Sequence, residues 1–140
     1  MLNILLIAIG GALGSVIRYL TFEFITKSIR AENISKNFPS NFPANFPWGT
    51  FCVNVVGSLI AGVLYYVMIK YFDVLGSKTR SLLFVGFLGG FTTFSAFSLD
   101  FFRLFTAGQT TLALFYALSS VTLSILALFF GFYLTKLILA

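Results

Sequence analysis

The chain has 140 residues, of which 59% are hydrophobic and only 9% charged, against about 25% charged residues in an ordinary soluble domain, so a water-soluble globule is excluded. The net charge of +5 does not mark a nucleic-acid partner, because Arg18, Lys27, Arg30, Lys36, Lys70, Lys78, Arg80, Arg103 and Lys136 stand singly beside apolar runs and form no stripe along which a phosphate backbone could lie. One cysteine and no histidine exclude an internal disulfide and the usual zinc, iron and copper ligand sets, and no Gly-rich phosphate loop follows a strand, so no organic cofactor is implied.

About 20 apolar residues cross the hydrocarbon core of a bilayer. Four runs qualify, at 2–26, 49–69, 82–104 and 112–135. The expected fold is an all-α integral membrane protein, a single four-helix transmembrane domain over residues 1–140. The first run has no basic segment before it and no small-residue cleavage pattern after it, so it reads as a retained helix and not as a signal peptide. Arg18 lies inside it, seven residues before Ile25 and hence roughly 10 Å below that end. Its guanidinium can snorkel to the interface or pack against a neighbouring helix; alternatively it is a fixed positive charge that draws anions into a vestibule.

The loop from Lys27 to Trp48 holds a repeat of period four, Asn37-Phe38-Pro39, Asn41-Phe42-Pro43 and Asn45-Phe46-Pro47, in which each proline forbids helix continuation. Its phenylalanines are expected at the membrane surface. In the second span Thr50, Asn54 and Ser58 recur at i, i+4 and i+8, a polar stripe on one helical face. Polar groups in a span are expensive, so the stripe marks either a functional surface or hydrogen-bonding glue between helices.

The third span carries Gly86-Phe87-Leu88-Gly89-Gly90-Phe91-Thr92-Thr93-Phe94-Ser95-Ala96-Phe97-Ser98. Paired glycines followed by paired β-branched threonines disfavour continuous helix, and a break is expected there. Backbone carbonyls freed by a break are ligands for a hard cation, and with no carboxylate beside them they suit Na⁺ over Ca²⁺ or Mg²⁺. Gly86 and Gly90 also form a GxxxG packing pattern, the competing account of the glycines. Phe94 and Phe97, at i and i+3, share one face, and the positive edge of a phenyl ring can stabilise an anion weakly. Asp100 can pair with Arg103 at i+3. No acidic residue lies at mid-membrane, which argues against proton-coupled cation antiport. The fourth span repeats the i, i+4, i+8 pattern with Tyr116, Ser120 and Ser124, while Ser119 and Thr122 fall off that line.

With four spans, one side of the membrane carries Lys70, Lys78, Arg80 and Lys136 and the other Lys27, Arg30, Lys36 and Arg103. Equal counts give no instruction about orientation. Dual topology follows, and with it an antiparallel homodimer closed about a two-fold axis in the membrane plane.

Three motifs stand in order along the chain: Gly10-Gly11-Ala12-Leu13-Gly14-Ser15-Val16-Ile17-Arg18-Tyr19, then Gly49-Thr50-Phe51-Cys52-Val53-Asn54-Val55-Val56-Gly57-Ser58, then Gly89-Gly90-Phe91-Thr92-Thr93-Phe94-Ser95-Ala96-Phe97-Ser98. Together they resemble the Fluc (CrcB-type) fluoride channels, and the resemblance spans all four runs. It implies a multi-pass protein of a bacterial inner membrane, not an enzyme, that lowers cytoplasmic fluoride by passive flow of the ion down its electrochemical gradient. It implies a dual-topology homodimer with a structural Na⁺ held by the backbone carbonyls of Gly89 and Thr92. The fluoride pore would be lined by Asn54, Phe94, Phe97, Tyr116, Ser120 and Ser124, extended by Thr93 and Ser95, with Arg18 in a vestibule or packing role. The chain departs from the family at Ala96, where many members carry threonine, and in the long Asn-Phe-Pro loop. Two rivals are a small dual-topology multidrug exporter, which would need a mid-span carboxylate in the first helix where only Glu23, near its end, is available, and a non-transporting membrane assembly protein.

Overall fold

The computed structural model describes residues 1–30 and 45–139. Among them are six α-helices and one π-helical stretch: α1 (Leu2–Arg30), α2 (Trp48–Lys70), α3 (Phe72–Arg80), the π-helical Ser81–Leu88, a short α4 (Gly89–Phe91), α5 (Phe94–Thr106) and α6 (Thr110–Leu139). They supply four segments long and apolar enough to cross a membrane, Leu2–Ser28, Trp48–Lys70, Gly76–Thr106 and Thr110–Leu139. The outer surface is that of a lipid-facing protein, with Leu118, Phe130 and Leu137 at 70%, 63% and 79% exposure. The helices satisfy their own backbone groups, as the hydrocarbon demands.

Two close helix contacts organise the bundle, α1 against the π-helical stretch and α2 against α6. Both are backbone-to-backbone. A Cβ on Gly10 or Gly14 would collide with the carbonyls of Leu82 and Phe87, and one on Gly62 or Gly131 with those of Leu128 and Leu59. Removing side chains at these crossings brings helices to the short separation typical of small-residue membrane packing. Gly86 and Gly90 lie directly against Gly10 and Gly11, so the packing account of the GxxxG pattern holds for the glycines, while the interruption of the span comes two residues later, at Thr92 and Thr93.

α3 occupies the stretch after Lys70 and kinks at Gly76, whose φ of 57° favours glycine. The eight residues Ser81–Leu88 are π-helical, a winding that hydrophobic periodicity does not signal. Phe46 of the third Asn-Phe-Pro repeat is buried within the protein, with 6% of its area exposed. The first two repeats lie outside the described residues.

The local reason for the burial of Phe46 is Pro47. Its φ of −78° and ψ of 65°, with the Trp48 amide donating to the Phe46 carbonyl at 2.8 Å, make an inverse γ-turn. The turn folds Phe46 back beneath the start of α2, into the cluster of Leu104, Ala113 and Tyr116. The reversal between α5 and α6 is equally tight. Gly108, at φ 76°, donates to Phe105 and Gln109 donates to Leu104, the two bonds of a Schellman cap.

Gly14→Leu and Gly62→Leu are each expected to abolish the folded protein, since overpacking alone costs about 1–3 kcal/mol and here the obstacle is backbone that cannot yield. Size-exclusion chromatography of each variant in detergent checks this; a wild-type elution profile for either would contradict the packing described.

Candidate functional site

A helix interrupted inside a membrane leaves amide and carbonyl groups that lipid cannot satisfy. At Thr92 (φ −80°, ψ 158°) and Thr93 (φ −152°, ψ 121°) the backbone is extended. Thr92 still donates its amide to Leu88 at 2.9 Å, and its hydroxyl donates to the same carbonyl at 2.9 Å. Thr93 is held from outside its own helix. Its amide donates to Asn54 Oδ1 at 2.9 Å, and Asn54 Nδ2 donates to its carbonyl at 3.0 Å. One side-chain amide thus grips both polar groups of one residue. Thr93 Oγ1 in turn accepts from the Ala96 amide at 3.2 Å, capping α5. Gly57 permits the approach, because a Cβ there would strike the Thr92 methyl.

This arrangement diverts two specific donors. In a continuous helix the Thr93 amide would bond the Gly89 carbonyl and the Ala96 amide that of Thr92; both donate elsewhere. Gly89 is exposed at the surface of the chain. The Thr92 carbonyl accepts from Arg18 Nη1 at 3.3 Å, using one of its two lone-pair sites. Arg18 therefore does not snorkel to the interface; it turns inward to the break.

Beside the break lies an open groove of about 400 Å³, lined by Asn54, Ser58, Thr93, Phe94, Phe97, Ser120 and Ser124 among others. Among the described residues, no charged side chain lines it. The Phe94 and Phe97 rings sit 5.5 Å apart and tilted by 38°, and Phe94 is 77% exposed. A second recess, of about 370 Å³, holds Ser15, Arg18, Thr50 and Ser95. Thr93 lines both depressions and forms the wall between them. Ser95, 3.3 Å from Thr93 through their hydroxyls, belongs to the Arg18 side and not to the groove.

Tyr116 lines neither depression. Its side chain is fully buried, its ring lies 5.3 Å from that of Phe97, and its polar neighbours are Thr50, Ser120 and Asp100. Among the described residues neither its hydroxyl nor that of Ser120 has a hydrogen-bond partner. Both hydroxyls are buried beside one another and beside Thr50.

One contributor was missed in the sequence. Asp100 was read as a partner of Arg103, and that contact exists at 3.9 Å. Its shorter bond is to the Thr50 hydroxyl, 2.6 Å from Asp100 Oδ2. The Thr50–Asn54–Ser58 stripe was the available signal. Its three members reach Asp100, Thr93 and the groove respectively, so the stripe ties α2 to both sides of the break.

The model of the family described as CrcB-like protein, Camphor Resistance (CrcB), matches residues 5–132. The chain belongs to the CrcB family. Similar proteins named "Fluoride-specific ion channel FluC" include that of Chelativorans sp. (strain BNC1), 44% identical over 99% of this chain and 100% of its own length. That of Agrobacterium fabrum (strain C58) is 43% identical over 94% of both chains, and that of Erythrobacter litoralis 41% identical over 94% of this chain and 90% of its own. The CrcB match includes α1, α2, the interrupted span and most of α6, and with them both depressions.

Within this CrcB chain, Asn54→Asp keeps the acceptor for the Thr93 amide but removes the donor to the Thr93 carbonyl. The expected cost is about 1–3 kcal/mol, that of a buried polar group left unpaired, seen as a lower midpoint in thermal unfolding of the purified protein. An unchanged midpoint would mean that the amide clamp does not hold the break.

Proposed function

We propose that this chain is a fluoride-selective channel through which the ion leaves the cytoplasm passively, down its electrochemical gradient. The observation that carries the reading is the groove. It combines hydroxyl donors from Thr93, Ser120 and Ser124 with two phenyl rings, and among the described residues no charged group lines it. A small, strongly hydrated anion needs donors in place of its water. It also needs them weak enough to let it go. Hydroxyls, the remaining Asn54 N–H and the positive edges of Phe94 and Phe97 meet both demands, while Arg18 in the neighbouring recess supplies a fixed attraction. The relatives' printed name supports the choice of fluoride. The protein is a channel and not an enzyme, in keeping with those relatives. The exporter and assembly-protein readings have no observation in their favour.

The functional unit of this reading is an antiparallel homodimer in a bacterial inner membrane. A single chain leaves the groove open along its flank and Phe94 mostly uncovered, so one copy supplies only part of a pathway wall. The balanced distribution of basic residues favours insertion in both orientations. Na⁺ suits the carbonyls of Gly89 and Thr92, whose usual donors are diverted. There it would neutralise converging carbonyl dipoles and join two copies.

Purified protein in liposomes loaded with potassium fluoride or potassium chloride, with valinomycin to balance charge and an ion-selective electrode outside, tests the proposal. Fluoride is expected to leave rapidly and chloride to stay; retention of both anions by folded protein would refute it. Phe94→Ile and Phe97→Ile should each cut the fluoride rate by about tenfold or more, the scale on which losing one well-placed electrostatic contact acts, and unchanged rates in both would remove these rings from the path. Replacing Na⁺ by a large organic cation during purification should shift the protein from dimer toward monomer on size exclusion.

A further inference from the structure

Tyr116 is held in an unusual way for a buried tyrosine. Its hydroxyl sits among Thr50, Ser120 and Asp100 without a well-formed hydrogen bond among the described residues, so the ring contacts carry much of the hold on its orientation. Phe97 lies on one side at 5.3 Å with an interplanar angle of 36°. Phe46 meets it at 5.5 Å and 86°, the edge-to-face geometry that aromatic pairs prefer. Phe46 is itself fixed. Pro47 locks the turn that buries it, and the rings of Trp48 at 4.5 Å and Phe51 at 5.4 Å enclose it. An unbroken chain of rings therefore runs from the last Asn-Phe-Pro repeat through Phe46, Tyr116 and Phe97 to Phe94 in the groove.

We propose that Phe46 is a positioning residue for the anion pathway: by packing its ring against Tyr116 it holds Tyr116, and through it Phe97, at the separation that passes fluoride and rejects chloride. The proposal rests on the channel reading above and adds to it a residue from a segment that lines neither depression. The aromatic character of Phe46 is what matters. An aliphatic side chain of similar volume fills the same space without an edge-to-face preference, and leaves the Tyr116 ring free to turn.

The test uses the full chain in the liposome assay, with fluoride and chloride efflux measured for the wild type, Phe46→Ala, Phe46→Leu and Phe46→Tyr. Phe46→Ala and Phe46→Leu should each lower the fluoride-to-chloride ratio about fivefold, the scale of one aromatic pair. Phe46→Tyr, which keeps the ring, should stay close to the wild-type ratio. Trp48 is the only tryptophan of the chain, so its emission reports on each preparation whether the start of α2 is still packed. Should Phe46→Ala not fold, Phe46→Leu against Phe46→Tyr carries the comparison. A wild-type ratio for Phe46→Leu, or a slower fluoride efflux with the ratio unchanged, would overturn the proposal and leave Phe46 as packing alone. These results are separable from failure of the channel reading. A wild-type protein that retains fluoride sinks both; a Phe97→Ile variant with unaltered efflux, or a selective wild type with indifferent Phe46 variants, sinks only this one.

Discussion

A backbone interrupted in hydrocarbon must find its hydrogen bonds within the protein, and the bond pair between Asn54 and Thr93 meets that requirement for the third span. Most of the other features near the site follow from it. α2 must lie close enough for a short amide side chain to reach, and Gly57 admits that approach. The clamp draws the Thr93 amide away from Gly89 and leaves the Thr93 hydroxyl to cap α5. α5 therefore starts on a new axis, with Phe94 and Phe97 in its first turn and facing the groove.

The division of polar groups around Thr93 has its own logic. On one side lie hydroxyls and phenyl rings without charge; on the other lies Arg18, tied to the Thr92 carbonyl. A full positive charge inside the groove would hold an anion too long. In the proposed channel, the same charge on the far side of Thr93 would raise local anion concentration without direct contact, since its field extends over several ångströms in a low-dielectric surround. The Asp100–Thr50 bond lies beside the buried Tyr116.

Much of this was legible in the sequence for identifiable reasons. Spans are written in apolar run length, and the break in the adjacency of Gly89-Gly90 and Thr92-Thr93, residues that lack helical preference. The stripes on α2 and α6 were visible because polar side chains in a membrane helix recur with the helical period only when one face is in use. The rest depended on distance in the chain. Nothing local to Asp100 points to Thr50, fifty positions away, and the nearer Arg103 hid the pairing. The burial of Phe46 was not legible because one proline at a helix start reverses the direction of the side chain before it. The π-helical winding of Ser81–Leu88, which packs against the glycines of α1, has no local signature in the sequence. The placement of Ser95 beside Arg18 follows from the extended backbone of Thr92 and Thr93, which rotates α5 relative to the helix before it.

The open flank of the groove also bears on how the molecule matures. A newly inserted copy, with Phe94 uncovered and about 400 Å³ of space beside it, is solvated laterally by acyl chains, which enter any apolar cleft that faces the bilayer. In the proposed homodimer, pairing of two copies would amount to an exchange in which lipid is expelled and protein takes its place. The strength of that exchange would depend on how well the displaced chains had packed into the cleft, so the monomer–dimer balance would be a property of the bilayer as well as of the protein. Membranes whose lipids fill the cleft poorly should favour the assembled form.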